Sequence, residues 1–236
     1  MSATDYADTY DPDTDFDRHY TLNAARRIQE RLAPGAAVLE LGCATGLMTS
    51  AIADGSVSVL AVDRSEGYLE RARGRELPST RFILGDLDDL DALGDAARHF
   101  DHILATNVLH ELADPLAFLG ACRERLAPDG LLHLTLQNPS SIHRLCALEL
   151  GLIGSLSEIS ERGAQWGTRG LWSAEQLQEL AAQAGLRCLA REGILLKPLP
   201  NAQMEQLSEE VLEGFARAAH HLPEHCAMNY LLLADA

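Results

Sequence analysis

The sequence has no long apolar run and no basic leader. No window reaches the roughly 18 consecutive apolar residues of a membrane-spanning helix. The N-terminal stretch MSATDYADTYDPDTDFDRHY has neither the basic start nor the apolar run of a secretory signal. We therefore expect a cytoplasmic protein that binds no membrane. The length of 236 residues suits one α/β domain with a sizeable buried core.

Cysteine is scarce and dispersed. Five cysteines stand at positions 43, 122, 146, 188 and 226, and none forms a C-x-x-C pair. This pattern indicates neither a disulfide framework nor a zinc ribbon, so we expect reduced thiols that mostly fill the core. The segment HHLPEH, residues 220–225, has a metal-like histidine spacing. It precedes the last predicted strand, away from the predicted cleft, and we expect no metal there.

Positive charge is also scarce, since 19 Lys and Arg residues stand against 35 Asp and Glu residues and give a formal net charge of −16. Nucleic-acid binding needs a basic face, and the sequence has no Lys/Arg cluster to form one. We therefore expect no nucleic-acid partner. The first 17 residues hold six aspartates and no Lys or Arg, which predicts a solvated arm. Four aromatic residues indicate that part of this arm docks: Tyr6, Tyr10, Phe16 and Tyr20.

Apolar runs of strand length alternate with stretches of helical periodicity along the chain. Strands are predicted over 36–42, 57–63, 80–86, 100–106, 130–137, 186–196 and 226–235. Helices are predicted over 16–28, 46–55, 65–74, 114–130, 173–185 and 202–221. Near-continuous apolar strands separated by helices predict an α/β, doubly wound, mostly parallel sheet that is covered on both faces. The connections should be right-handed crossovers.

The connection after the fifth predicted strand is too long for a simple alternation of strands and helices. Residues 138–172 separate the fifth strand from the helix that begins near Ser173. We expect a short helix over 141–150 followed by irregular chain. Long connections at the carboxyl end of a parallel sheet form lids and pockets, so we assign substrate choice to this insertion.

The segment VLELGCATG, residues 38–46, leads from a buried strand into a turn of small residues. Such a turn lets the backbone approach a nucleotide closely. A dinucleotide fingerprint would need a third glycine where Leu47 stands, so that fit is poor. Glu40 is costly in a buried strand unless it meets a partner, and a ligand ammonium group would supply one.

Two further acids follow the next two predicted strands. Asp63 can accept both hydroxyls of a ribose, and Asp86 can accept the exocyclic amine of adenine while the Leu87 amide meets a ring nitrogen. Taken singly, each acid has an ordinary structural role, as a buried acid bonded to backbone or as a cap of the following helix or turn. Together with the small-residue turn, they suit an amino acid, a ribose and an adenine.

The ordered series VLELGCATG, AVDRS, GDL, FDHILATNVLHEL and LAPDGLLHLTLQNP resembles class I, Rossmann-like S-adenosylmethionine (SAM) dependent methyltransferases. The resemblance runs from about Gly35 to Pro139. It implies SAM as cofactor and a mostly parallel seven-stranded sheet with an antiparallel last strand. Ala44 stands where the family often has glycine. The implied cofactor contacts are Glu40, Gly42, Cys43, Ala44, Gly46, Asp63, Arg64, Asp86, Leu87 and Asn107.

The resemblance also implies acceptor-side residues. His110 would lie beside the reacting centre, and Tyr20, in a helix closing over the cofactor, would lie near the transferred methyl group. The strings NPSSIHRL and LLKPLPNAQM resemble a bacterial branch that modifies small molecules and peptides, which implies substrate-side roles for Ser141, His143 and Arg144.

A sulfonium methyl group is already activated, so the enzyme mainly aligns a nucleophile and excludes water. For a hydroxyl acceptor, His110 or His143 can take the proton, whereas a carboxylate acceptor needs no base and would be held by cations. Arg144, Arg169 and Lys197 are the cations near the predicted mouth. We expect Arg169 and Lys197 to be surface charges.

We divide the chain into an arm and helix covering the cofactor, residues 1–34, and a SAM-binding domain, residues 35–236, that includes the 138–172 insertion.

The predicted activity is methyl transfer to a hydroxyl or carboxylate oxygen of a small molecule or peptide in bacterial specialised metabolism, by a monomer or homodimer. N-methylation is the alternative. An NAD(P)-dependent oxidoreductase is disfavoured by the missing glycine and by the absence of a Tyr-x-x-x-Lys pair. A non-catalytic SAM-binding regulatory or scaffold protein is the remaining alternative.

Overall fold

The computed structural model describes residue 7, residues 9–97 and residues 99–236. Tyr6, one of the aromatic residues expected to dock, lies outside them. The strands are β1 Ala37–Leu41, β2 Ser58–Asp63, β3 Thr80–Leu84, β4 Phe100–Thr106, β5 Leu126–Gln137, β6 Leu186–Ile194 and β7 Met228–Asp235. They form one seven-stranded sheet in the order β3-β2-β1-β4-β5-β7-β6.

The strand directions determine where the functional edge lies. Neighbouring strands among β1 to β5 are parallel, and β7 is antiparallel to both β5 and β6. The predicted sheet with its antiparallel last strand is confirmed. Because β7 runs against both neighbours, β6 runs parallel to β5. The carboxyl ends of β1 to β6 therefore lie at one edge, where ligands bind in open α/β sheets.

Helices cover both faces of the sheet. They are α1 Arg18–Gln29, α2 Leu47–Ile52, α3 Glu66–Arg73, α4 Pro115–Arg125, α5 Ile142–Glu149, α6 Glu161–Gln165, α7 Ala174–Gln183, α8 Asn201–Met204 and α9 Glu209–Ala218. Buried side chains of α1, α2, α3, α8 and α9 fill one core, and those of α4 and α7 fill the other. Short 3-10 helices occupy Leu90–Ala97, Leu109–Glu111, Ala219–His221 and Pro223–His225. Among the described residues, no helix combines the length and the apolar character needed to cross a bilayer.

Three predicted elements differ from those observed. The helix predicted over 114–130 ends at Arg125, because Pro128 cannot continue it and the chain enters β5 instead. The helix predicted over 202–221 is divided into α8 and α9, and Ser208 caps the start of α9 by accepting the Val211 N–H. The insertion contains α6, which is too short to show a helical period in the sequence.

The acidic arm packs against the rest of the domain over its described part. Its aspartates form ion pairs with distant arginines: Asp11 and Asp13 with Arg71, Asp13 with Arg75, and Asp15 and Asp17 with Arg162. The expectation of a solvated arm holds only in part, because these side chains keep between 21% and 42% of their surface exposed but are paired with arginines of α3, the turn after it, and α6. Docking of the arm is confirmed, since Phe16 is fully buried and Tyr20 packs against the core.

The cysteine prediction holds in part, because all five thiols are free but only three are buried. Cys43, Cys122 and Cys226 lie in the core, whereas Cys146 is exposed and Cys188 is half-buried.

Two histidines form a buried polar chain across the sheet. The His102 Nδ1 atom lies 2.9 Å from His133 Nε2, and His133 Nδ1 lies 2.7 Å from the Tyr230 hydroxyl. Burial lowers the pKa of His102, and burial with the nearby His102 and Arg31 lowers the pKa of His133 to about 3. Both rings are therefore neutral in the folded protein.

The buried hydrogen-bonded row of His102, His133 and Tyr230 predicts that the protein loses stability in acid. The unfolded histidines bind protons near pH 6.5 and the folded ones bind them less readily, so the free energy of unfolding falls as the pH drops below about 6.5. For His133 this fall continues toward pH 3, by up to about 1.4 kcal/mol per pH unit. In denaturant titrations at several pH values, His133→Gln should flatten this slope. His221→Gln, at an exposed position, should leave it unchanged. Equal slopes in the two variants would contradict the assignment.

Candidate active site

The turn after β1 is held open by three left-handed residues. Gly42, Ala44 and Gly46 have φ values of 82°, 45° and 76°. The Gly42 and Cys43 N–H groups donate to the Val62 carbonyl, at 2.8 and 3.0 Å, and so tie the turn to β2. A Cβ at position 42 would collide with the Val108 side chain. The Ala44 methyl group occupies a conformation that costs about 1–2 kcal/mol, which explains the family's glycine at this position.

Glu40 lies below this turn with its carboxyl group fully buried. The Thr49 hydroxyl donates to Glu40 Oε2 at 2.6 Å, and Oε1 has no partner among the described residues. Burial raises the pKa of Glu40 to about 8. Asn107, itself at φ 58° after β4, has a buried Oδ1 atom that likewise lacks a described partner. Both oxygens belong to residues of one cavity wall, which therefore offers acceptors for a cationic donor.

Asp63, Arg64 and Asp86 complete the wall of this first cavity, which has a volume of about 200 Å³. Asp63 Oδ2 accepts the Ala44 N–H at 2.8 Å and Oδ1 accepts the Ser65 N–H at 2.9 Å. Burial raises the pKa of Asp63. Arg64 pairs with Glu111 at 3.0 Å across the cavity. Asp86 is exposed on the same wall.

A second cavity of about 410 Å³ adjoins the first, and is large enough for a ring-sized ligand. His110 and His143 line it, and the Nδ1 atom of each is buried without a described partner. Burial lowers the pKa of His110 to about 4, and burial together with Lys197 and Arg144 lowers that of His143 to about 3. Both imidazoles are thus neutral at pH 7. The residues shared by both cavities are Tyr10, Asp17, Tyr20, Asn107, Glu111 and Met228.

The structure brings most of the predicted site residues to these cavities. Gly46 does not line the first cavity but begins α2. The cofactor-side residues that line it are Glu40, Gly42, Cys43, Ala44, Asp63, Arg64, Asp86, Leu87 and Asn107. Arg144 lines the second cavity, with its guanidinium donating to the Leu156 and Glu158 carbonyls. Ser141 is fully buried at the start of α5.

Of the two expected surface charges, only Arg169 is exposed. Lys197 is 4% exposed and lines the second cavity, so the expectation of a surface charge is wrong for it. Its burial comes from the folded arm, because Phe16 lies against it with a ring centroid 5.8 Å from Nζ.

Sequence reasoning also missed the contact between the arm and the insertion. Tyr10 packs on Trp166 with ring centroids 5.2 Å apart, and Arg162 pairs with Asp15 and Asp17 at 2.8 and 3.1 Å. Of these five contact residues, all except Asp15 line the second cavity. Only the aromatic content of the arm gave a signal for this docking. Among the described residues, no group of three or more His, Cys, Asp or Glu is arranged to hold a metal.

A family model described as a methyltransferase domain matches residues 16–191, about three quarters of the chain. The chain belongs to the class I SAM-dependent methyltransferases. Glu40 and Asn107 offer oxygens for the ammonium group of SAM, Asp63 for its ribose and Asp86 for its adenine, so the residues present fit this cofactor.

Curated relatives of this methyltransferase include a Dinoroseobacter shibae protein named ubiquinone biosynthesis O-methyltransferase, 30% identical over 75% of this chain and 70% of its own length. A Chelativorans protein of the same name is 32% identical over 70% of this chain and 64% of its own length. A Haloferax volcanii complex of the Trm112 methyltransferase activator with a methyltransferase gives a TM-score of 0.69 at 18% identity, covering 99% of each chain. A TehB-like SAM-dependent methyltransferase from Corynebacterium glutamicum gives 0.56 at 18% identity, covering 91% of this chain and 88% of that one. These structures support the fold.

Glu40 should couple stability to cofactor affinity. Glu40→Gln removes a carboxyl group whose ionisation is costly in the apo protein, so the apo protein should become more stable at pH 7.5 and its melting temperature should rise. S-adenosylhomocysteine (SAH) should bind at least about tenfold more weakly, because a buried charged partner is lost.

The affinity for SAH should also depend on pH through the ionisation of Glu40. Below pH 8 the wild-type carboxyl group is mostly protonated, so SAH affinity should increase from pH 6.5 to 8.5, and this increase should disappear in Glu40→Gln. Calorimetric titration measures both effects, with Glu210→Gln, exposed on α9, as the control. An unchanged affinity and pH profile in Glu40→Gln would contradict the role.

Proposed function

We propose that this methyltransferase transfers the methyl group of SAM to an oxygen atom of a small-molecule or peptide acceptor, in bacterial specialised metabolism. The observation that carries the proposal is the junction of two cavities of different chemistry. The first is lined by acidic oxygens, and the second by neutral imidazoles and cations, and they share Tyr20 and Asn107. The relatives named O-methyltransferases support oxygen as the acceptor atom.

Bound SAM supplies a methyl group on a cationic sulfur, which is transferred by in-line attack of a nucleophile. The chain's own residues then have two tasks, which are to orient the acceptor oxygen and to exclude water. We assign water exclusion to the described part of the N-terminal arm, residues 9–17, because its ion pairs and the Tyr10–Trp166 contact hold it beside both cavities. We assign the meeting point of the acceptor oxygen and the methyl group to Tyr20 and Asn107, because both residues line both cavities.

The histidines act as hydrogen-bond acceptors more than as strong bases. A base with a pKa of about 4 takes the proton of a phenol, with a pKa of about 10, only at a cost of about 8 kcal/mol. Accepting a hydrogen bond from the hydroxyl orients it without that cost. His110 is held for this role by its backbone, since its carbonyl accepts the Arg169 N–H at 2.7 Å.

The two cavities predict two classes of variant. His143→Ala and His110→Ala should lower turnover by at least about tenfold, while SAH affinity stays within about twofold. Asp63→Ala should do the reverse and abolish tight SAH binding, because it removes the ribose acceptor and the anchor of the Ala44 N–H. Steady-state kinetics and calorimetric titration separate the classes. Equal loss of both quantities in a histidine variant would contradict its acceptor-side role.

Methyl transfer itself is tested with methyl-labelled SAM and a panel of hydroxylated and carboxylated acceptors. An O-methylated product is expected. A labelled amine would point to N-methylation instead, and tight SAH binding with no transfer to any acceptor would favour a non-catalytic SAM-binding protein.

A further inference from the structure

Lys197 is the only lysine in the sequence, and it is buried at the functional edge. It follows the carboxyl end of β6, which the antiparallel β7 brings to the same edge as the ends of β1 to β5. Its side chain lines the second cavity, with the ammonium group near the Phe16 ring. Among the described residues, the ammonium group has neither an ion pair nor a hydrogen bond.

A buried ammonium group is costly unless a partner compensates it. The closest carboxylates, on the arm, are already committed: Asp15 pairs with Arg162, and Asp17 accepts from Arg162, Tyr10 and Asn201. The described residues thus supply a cation–π contact with Phe16 and attraction from a distance, but no anionic partner in direct contact. A ligand is the remaining source of one.

The other charges around the cavity point to an anion. Arg162 is balanced by two carboxylates, whereas the partners of the Arg144 guanidinium within the described part of the chain are two backbone carbonyls. Glu111 is paired with Arg64. Lys197 and Arg144 therefore leave the wall with excess positive charge inside a protein of net charge −16. Cationic side chains are therefore concentrated at this cavity, although the protein as a whole carries a large negative charge.

We propose that Lys197 binds a carboxylate of the acceptor, which is therefore a hydroxy acid whose acid group lies apart from the oxygen that receives the methyl group. Lys197 lines the second cavity but not the wall shared with the first. The carboxylate is thus held at the far part of the cavity while a hydroxyl group reaches Tyr20 and Asn107. This inference rests on the proposed O-methyl transfer and names its substrate class.

The protonation state of Lys197 fits this role. Burial lowers its pKa to about 8, with Asp17 and Asp15 raising the pKa and Arg162 lowering it. The other titratable or charged groups that line the cavity are His143 and Arg144 of α5, together with His110, Glu111, Tyr10 and Tyr20. At pH 7 the amine is mainly charged, and a bound carboxylate should raise its pKa further.

The kinetic test compares paired acceptors. Hydroxybenzoates and hydroxycinnamates are each assayed beside the uncharged carboxamide of the same compound, with wild type, Lys197→Met and Lys197→Arg. Wild type should prefer the acids by about tenfold to a hundredfold in kcat/KM. Lys197→Met should lose this preference because KM for the acids rises. Lys197→Arg, which keeps a positive charge, should retain part of the preference. SAH affinity, the control for folding, should stay unchanged, and Arg81→Met, exposed on β3, should behave as wild type.

A binding readout is independent of turnover. Lysine labelled with ¹³C at Cε gives one side-chain NMR signal, because the chain has one lysine. In SAH-loaded protein, the acids should shift this signal and raise the midpoint of its pH titration, and the matched carboxamides should do neither.

The outcomes separate the two proposals. Lack of both SAH binding and methyl transfer contradicts the proposed function, whereas transfer with an acid preference that Lys197→Met leaves intact overturns only this inference. A methyl ester as the product would overturn the two-point arrangement. If no panel member is methylated, the NMR titration decides, and a signal that no acid moves more than its carboxamide overturns the assignment.

Discussion

The arrangement depends on one carboxyl group that the sheet seals from water. Glu40 gives one oxygen to Thr49 and leaves the other without a described partner, and burial raises its pKa to about 8. Such a group weakens the apo fold until a cation approaches it. The left-handed turn at Gly42 and Ala44 keeps that approach open, and Asp63 fixes the turn by accepting the Ala44 N–H. Cofactor affinity and a local cost to stability therefore have the same origin.

The acceptor side depends on strand direction. Because β7 is antiparallel to both neighbours, the end of β6 reaches the cofactor edge and carries Lys197 with it. The arm and the insertion then meet over this edge through Arg162 and Tyr10. In the proposed function each element supplies what the others lack: the parallel strands would supply acids for the cofactor, α5 and the segment after β6 cations for the acceptor, and the arm the cover.

The acids of the first cavity could be predicted from the sequence because Glu40, Asp63 and Asp86 lie at or next to the carboxyl ends of β1, β2 and β3, which are neighbours in the sheet. The second cavity could be predicted only in part, from the length of the insertion and from the resemblance that named His110, His143 and Arg144. Lys197 was expected at the surface because its burial depends on Phe16, which lies far away in sequence. The pairing of the arm's aspartates was missed for the same reason: spacing along the chain carries no information about partners that only the tertiary fold brings together.

We propose that the acid-lined cavity binds SAM. The most direct measurement is calorimetric titration of the wild-type protein with SAH and, in parallel, with NAD. We expect SAH to bind at one site per chain and NAD not to bind measurably. Binding of NAD without binding of SAH would contradict it, because the turn at residues 42–46 would then serve a dinucleotide and the assignments of Glu40, Asp63 and Asp86 would fail together.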